Sequence, residues 1–197
     1  MYKLLLDRSD TNLSVGISKN DEVIYKFSTY AWQRQSEYMI PEINNALKKC
    51  GINLCDVSVI VLGIGPGSYT GVRIPLTIAK TLNVSDNVEI IALSSLRIMG
   101  KANEKYIALM NARSSRSYIG VYSNGEEVVK DFVILNDEIE AFIKPYIEQG
   151  YVLKGNLEYL NLEGNVGEEI IDGLLTHSLI CNAHKNPKSL CPSYLKD

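Results

Sequence analysis

The sequence predicts an α/β protein of two lobes, the second smaller and degenerate, and three observations carry that expectation. Short β-branched runs bounded by turn residues recur through the 197 residues, as buried strands require. Segments with apolar residues every three or four positions lie between them, as amphipathic helices require. Three strands followed by a helix occur from residue 2 and again from residue 105, which points to a duplicated architecture. No Pro- or Ser-rich linker separates the halves, and the boundary is placed to give lobes 1–102 and 103–197.

Residues 2–6 form an apolar run ending at Asp7, and Leu13, Val15 and Ile17 then alternate with polar residues. A third run, 22–30, follows the Lys19-Asn20-Asp21 turn, completing an antiparallel meander. The period then changes, because Ile40, Ile43, Leu47 and Cys50 put one apolar stripe on a helix stopped by Gly51. That helix either begins at Pro41 or carries the proline inside a longer segment from Ser36. Residues 57–62 read as a buried strand leading through a glycine-rich turn into a second helix. Val72, Ile74, Leu76, Ile78, Ala79 and Leu82 make this helix apolar over most of its circumference, so it is either packed within its own core or turned toward a partner.

Residues 88–93 are a further strand, after which Ser94 or Ser95 can cap a short turn through Met99. Strands at 106–110, 118–122 and 127–135 open the second lobe, with Asn124-Gly125 as a two-residue hairpin turn. Asn136 or Asp137 can cap a helix bearing Ile139, Phe142, Ile143, Tyr146 and Ile147 and stopping near Gly150. A strand at 151–155 and a small helix around Ile170, Ile171, Leu174 and Leu175 follow, and 182–192 has no periodicity.

Composition narrows the function classes. A net charge of −3 with no Lys/Arg-rich run argues against autonomous nucleic-acid binding. No stretch approaches the roughly 18 apolar residues of a membrane span, and no signal-peptide core precedes the first strand, so a cytoplasmic protein without membrane contact is expected. Cys50, Cys55, Cys181 and Cys191 match neither a CxxC motif nor a disulfide framework and read as packed thiols.

The glycine turn at 63–73 could converge backbone amides on an anion or dock another backbone segment. It is not a Walker A loop, because Val72 and Arg73 stand where Lys-Ser/Thr is needed, and Thr70 stands where a dinucleotide fingerprint closes with glycine. Asp7 ends the first strand, where it could serve chemistry or cap a turn. The turn from Arg113 through Ser117 offers two guanidiniums and three hydroxyls, either a phosphate contact or a solvated hairpin tip. Arg73 opposes the dipole of the helix it starts, so a carboxylate partner is expected for it, in this chain or another. His177, Cys181, His184 and Cys191 follow no common metal spacing and read as two surface histidines and two packed cysteines. Neither Gly-x-Ser-x-Gly nor His-Glu-x-x-His occurs.

The element order of the first half resembles a ribonuclease-H-like lobe of the actin, sugar kinase and Hsp70 (ASKHA) group. Gly65-Pro66-Gly67-Ser68-Tyr69-Thr70-Gly71-Val72-Arg73-Ile74 closely resembles the Gly-Pro-Gly-Ser-Phe-Thr-Gly-Leu-Arg-Ile signature of the bacterial TsaB (YeaZ) family, paralogues of the TsaD transferases of the peptidase M22-like group. The similarity continues at Ser36-Glu37, Pro41 and Ile43, at Ser94-Ser95-Leu96, at Ala108-Leu109, Ala112-Arg113 and Tyr118, and at Pro192, Tyr194, Leu195 and Lys196. The chain departs from the family at Gln35, Asn111, Arg116, Pro75 and Arg8-Ser9-Asp10. TsaD holds its metal through His-x-x-x-His, and Ser95 and Met99 stand at the corresponding positions; neither is a ligand for a hard metal.

The resemblance implies a non-catalytic scaffold and activator that pairs with a TsaD-type transferase and a TsaE-type ATPase in making threonylcarbamoyladenosine at the tRNA adenosine next to the anticodon. It implies a self-dimer when the chain is alone, and tRNA reached only through the complex. Ile40, Ile43, Leu47, Arg73, Leu76 and Ala79 are the candidate partner interface. Asp7, Gly65, Gly67, Ser68, Thr70, Gly71 and Arg113 are the candidate nucleotide or anion contacts. No catalytic residue, metal or tightly bound cofactor is expected, with ATP or ADP left open at the partner interface. The alternative from another class is a stand-alone ASKHA-type nucleotide-binding phosphotransferase or hydrolase using Asp7 and the glycine loop.

Overall fold

The computed structural model describes residues 1–30, 35–164 and 169–195, with 35–37 described by their backbone alone. Strands β1 (Tyr2–Asp7), β2 (Asn12–Lys19) and β3 (Glu22–Tyr30) form the antiparallel meander. Strands β4 (Val57–Gly63) and β5 (Glu89–Leu93) add parallel to β1, giving a five-stranded sheet of order β3-β2-β1-β4-β5. Period-two alternation divides β1 between two cores: Leu4 and Leu6 join one and Leu5 the other. A central strand buried on both faces reads as a continuous apolar run for this reason.

Helices α1 (Gln35–Cys50) and α2 (Arg73–Asp86) cover one face of that sheet. Pro41 lies inside α1, so the helix carries the proline rather than starting at it. In α2, Pro75 falls in the first turn, where its missing N–H has no helical partner to lose. Met39, Ile43, Ala46 and Leu47 of α1 and Leu76 and Ala79 of α2 are buried in the shared core. The near-continuous apolar surface of α2 is therefore used within the chain, with Ile74, Ile78 and Leu82 packed half-buried at its margins.

The opposite face is covered from the far end of the chain. Helix α4 (Glu169–Ser178) sets Ile171, Leu174 and Leu175 against Leu5, Val59, Val61 and Ile91. A Cβ on Gly16 would stand 2.6 Å from the Ile171 side chain, so the glycine lets the helix approach the sheet. The segment after α4 stays with the first sheet too, since the His184 amide bonds the Ile90 carbonyl at 2.7 Å and Leu190 enters the α1/α2 core.

Strands β6 (Lys105–Arg113), β7 (Arg116–Ser123), β8 (Glu126–Leu135) and β9 (Val152–Lys154) form the second sheet in the order β8-β7-β6-β9, the first pattern without its last strand. Helix α3 (Ile139–Ile147) covers it through Ile139 and Ile143. Neither Asn136 nor Asp137 caps α3, because a single 3-10 turn over Asn136–Glu138 precedes the helix and Asn136 Oδ1 accepts instead from Ser117 Oγ at 2.9 Å. No described helix is long and apolar enough to cross a membrane, which says nothing of strand-built spans.

The lobes meet in a fourth cluster of Leu96, Met99, Tyr106, Ala108, Met110 and Tyr122. Polar contacts fasten it. His177 is fully buried, correcting the surface reading, and its Nδ1 accepts from Arg97 Nε at 3.1 Å while Nε2 lies 3.1 Å from Tyr106 Oη. Tyr106 Oη donates to the Arg97 carbonyl, so its oxygen accepts from Nε2–H, and the ring is the neutral tautomer. Burial, with the Arg97 charge beside it, pushes the His177 pKa down to about 4. Asp131 of β8 accepts from both Tyr122 Oη and Ser94 Oγ, and Ser94 also caps the following turn through the Leu96 and Arg97 amides.

Candidate functional site

The glycine loop between β4 and α2 packs directly on the turn between β1 and β2. The Ser68 amide donates to the Ser9 carbonyl at 2.6 Å. A Cβ on Gly67 would collide with that same carbonyl, and one on Gly71 with the carbonyl of Arg8. Gly67 also holds a φ of +150°, and Gly65, at +107°, faces the Ser193 carbonyl, so these glycines are required by close backbone approach. The Gly65–Pro66 peptide is cis.

The amides that could have cradled an anion are in good part occupied. Gly65 N–H donates to Ser95 Oγ at 2.8 Å, Ser68 N–H to Ser9, and Gly71 N–H to Ser68 Oγ at 3.1 Å. Ser95 returns its own amide to the Gly65 carbonyl at 2.8 Å. The loop is thus a backbone-docking device, which is the second of the two readings that its glycines allow.

Asp7 lies beneath the loop. Its Oδ2 accepts from the amide and hydroxyl of Ser9 at 3.2 and 3.0 Å, which makes it a turn cap. Its Oδ1 is buried without a hydrogen-bond partner among the described residues, against the space where Gly63 has no Cβ. Burial raises its pKa to about 6, against the opposing effect of the two Ser9 hydrogen bonds. Arg8, also fully buried, donates to the Asp10 and Asn12 carbonyls and so closes the same turn.

A cleft of about 610 Å³ opens between the lobes, lined by Ser9, Asp10, Thr11, Gly67, Ser68, Tyr69, Thr70, Met110, Asn111, Ala112, Arg113 and Tyr118. It brings together Gly67, Ser68, Thr70 and Arg113 of the candidate anion contacts. Asp7 and Gly71 stand behind this wall instead, buried in the turn-to-loop contact, and Gly65 is buried against Ser193 and Ser95. Arg113, Ser114 and Ser115 all adopt left-handed backbone at the tip of the β6–β7 hairpin, which turns the Arg113 segment into the cleft wall.

The candidate partner residues divide. Ile43, Leu47, Leu76 and Ala79 are buried within this chain and form no free surface, because the helical period that aligns them also turns them onto the sheet. Ile40 is 56% exposed and Arg73 is exposed. Arg73 has no carboxylate partner among the described residues' salt bridges. Its guanidinium lies 3.8 Å from the Tyr69 ring centre and donates through Nε to Tyr194 Oη at 2.8 Å. Tyr69 and Tyr194 stack at 5.4 Å, so the cation is held by aromatic faces. This cluster was not foreseen, although Tyr69 and Tyr194 both lie within recognisable motifs. The side chains of Gln35, Ser36 and Glu37, and Lys196, lie outside the described residues.

Among the described residues no three His, Cys, Asp or Glu side chains converge as metal ligands. The four cysteines are free thiols, Cys50 and Cys181 half-buried and Cys55 and Cys191 exposed, so only two are packed.

Two lobes built on one strand order, facing each other across a cleft, define a protein of the actin, sugar kinase and Hsp70 type. The ethanolamine utilization protein EutJ from Carboxydothermus hydrogenoformans shares this fold, with a TM-score of 0.50 at 12% identity over 91% of this chain and 89% of that one. A Pseudomonas aeruginosa protein described as similar to peptidase YeaZ superimposes with a TM-score of 0.81 at 20% identity, covering 99% of each chain. The family model for TsaD, tRNA N6-adenosine threonylcarbamoyltransferase, matches residues 29–155. The TsaB protein of Bacillus subtilis, named for tRNA threonylcarbamoyladenosine biosynthesis, is 37% identical over 149 residues, 71% of this chain. The match spans 65% of that relative's length. The chain belongs to the TsaB (YeaZ) family, paralogous to TsaD.

Proposed function

We propose that this chain is a non-catalytic scaffold and activator subunit in the formation of threonylcarbamoyladenosine at the tRNA adenosine next to the anticodon. On this reading it works in the cytoplasm with a TsaD-type transferase and a TsaE-type ATPase. The names of its relatives supply the pathway. The observation that carries the non-catalytic role is the use made of the residues at the would-be active centre. Ser95, at one metal-ligand position of TsaD, is buried and holds the Gly65 amide, while Met99, at the other, packs between the lobes. Asp7 is occupied by Ser9 beneath the glycine loop, outside the cleft lining. The same facts count against a stand-alone phosphotransferase, which needs a strand-end carboxylate facing its phosphate.

The partner surface on this reading is the outer side of α1 and α2, with Ile40 as its apolar anchor, and it pairs two copies when the chain is alone. ATP or ADP then belongs at the interface with the transferase. The test is a modification assay on unmodified tRNA with the transferase and the ATPase, with and without this chain. Modification should depend on the chain, and equal modification in its absence overturns the proposal.

A further inference from the structure

Two residues of opposite charge line the interlobe cleft from opposite lobes: Asp10 in the β1–β2 turn and Arg113 at the end of β6. Asp10 is half-buried and forms no salt bridge with another described residue. Burial raises the pKa of its carboxyl, against the opposing effects of a hydrogen bond from the Thr11 amide and of the Arg8 charge. A carboxylate desolvated in this way gains from a further cation placed beside it in the cleft. Arg113 brings five donors in a planar fork, the geometry that matches a carboxylate.

The rest of the lining suits a small polar molecule and not a polyphosphate. Thr11 Oγ1, Thr70 Oγ1, Asn111 Nδ2 and Tyr118 Oη make no hydrogen bond with another described residue. The loop amides that would hold phosphates are spent instead, that of Ser68 on the Ser9 carbonyl and that of Gly71 on Ser68 Oγ. No lysine lines the cleft, and Asp10 would repel an anion there. The volume of about 610 Å³ lies within the range of about 300–1,000 Å³ usual for small-ligand sites. Its walls are held at a fixed separation, because the cluster around Met99 and Tyr106 joins the lobes and Ser94 of the first donates to Asp131 of the second. The site is therefore formed before a ligand arrives.

We infer that the interlobe cleft binds a free α-amino acid, with its ammonium group at Asp10, its carboxylate at Arg113 and its side chain beside Met110 and Tyr118. An amine alone makes no use of Arg113, and a simple acid gains nothing from Asp10. A molecule that carries both charges is matched by both walls. The hydroxyls of Thr11 and Thr70 and the Asn111 amide supply the remaining hydrogen bonds. This assignment stands on the cleft alone and goes beyond the scaffold reading, which places no ligand there.

The test titrates the full nitrogen-15-labelled chain with glycine, L-serine, L-threonine, L-leucine and L-glutamate, and separately with ethylamine, acetate and ATP. Each is taken to about 10 mM, where millimolar affinity registers. At least one amino acid should shift the amide resonances of Thr11, Thr70 and Asn111, while ethylamine and acetate leave them in place. Asp10→Asn keeps an acceptor for the Thr11 amide and should weaken binding at least about tenfold, the low end for loss of a charged hydrogen bond. Arg113→Gln, at the exposed hairpin tip, should weaken it as much, and it decides alone should thermal melts show Asp10→Asn unfolded. The assignment is overturned if no amino acid shifts these resonances or if a folded variant binds as wild type. It is also overturned if ethylamine or acetate shifts them as strongly, or if ATP does so at a lower concentration than every amino acid.

Discussion

The amide of Ser68 donates to the carbonyl of Ser9 at 2.6 Å, and through this bond the β1–β2 turn fixes the position of the glycine loop. Asp7 holds Ser9 from one side. The loop in turn sets where α2 begins.

Adding a single methyl at this contact should be severe. Gly67→Ala and Gly71→Ala place a Cβ against the Ser9 and Arg8 carbonyls, which belong to buried backbone and cannot swing away. Each is expected to cost about 2–4 kcal/mol, read as a lower urea midpoint. Gly51→Ala, which meets nothing within 4 Å but has a φ of +66°, should cost only about 1 kcal/mol.

Two buried groups give opposite pH dependence. The folded pKa of Asp7, about 6, lies above the carboxylate's usual 3.8. The native state therefore binds the extra proton between these values, and the Asp7 contribution to stability is present below about 3.8 and lost as pH rises through 6. The folded pKa of His177, about 4, lies below its usual 6.5, so its contribution is present above 6.5 and lost as pH falls through 4. The two effects offset each other between pH 4 and 6. Asp7→Asn should therefore steepen the acid loss of stability, and His177→Gln should reverse its slope, each by up to about 3 kcal/mol over the window. Chemical unfolding at pH 4, 5, 6 and 7 checks both signs.

Core and surface positions on the helices should separate cleanly. Leu76→Ala removes a buried side chain and is expected to cost about 2–5 kcal/mol. Ile40→Asp alters a residue 56% exposed and should change stability by less than about 0.5 kcal/mol. On the scaffold reading it nonetheless weakens self-association, measured by analytical ultracentrifugation.

Lys154 should show strong coupling between its partners. It is nearly fully buried, and its Nζ lies 3.3 Å from Glu104 and 2.5 Å from Glu169, both about one-third exposed. Burial works against its charge, and the two carboxylates more than restore it, so its pKa is raised. Glu104→Gln or Glu169→Gln alone leaves one carboxylate and should cost about 1 kcal/mol. The double variant leaves a buried ammonium unpaired and should cost about 3–5 kcal/mol, well beyond the sum. A double-mutant cycle in urea measures the difference.

Local periodicity determined much of this protein from its sequence. The two meanders, the strand before the glycine loop and the helical stripes of α1 and α2 were legible because each depends on neighbours within a few residues. So was the family motif. Helical spacing also identified Ile43, Leu47, Leu76 and Ala79 as an apolar set, but it could not say whether sheet or partner covers them, since burial depends on what lies across from a face. Only the tertiary structure decided that they belong to the core. The same holds for contacts that span the chain: α4 returning from residue 169 to cover the first sheet, and Tyr194 joining Arg73 across 121 positions. Such contacts arise from how packed layers bring distant segments together, and no local pattern encodes them. The glycine loop shows both sides, because its residues announced a tight backbone approach and only the fold showed that the approaching backbone is the chain's own turn at Arg8 and Ser9.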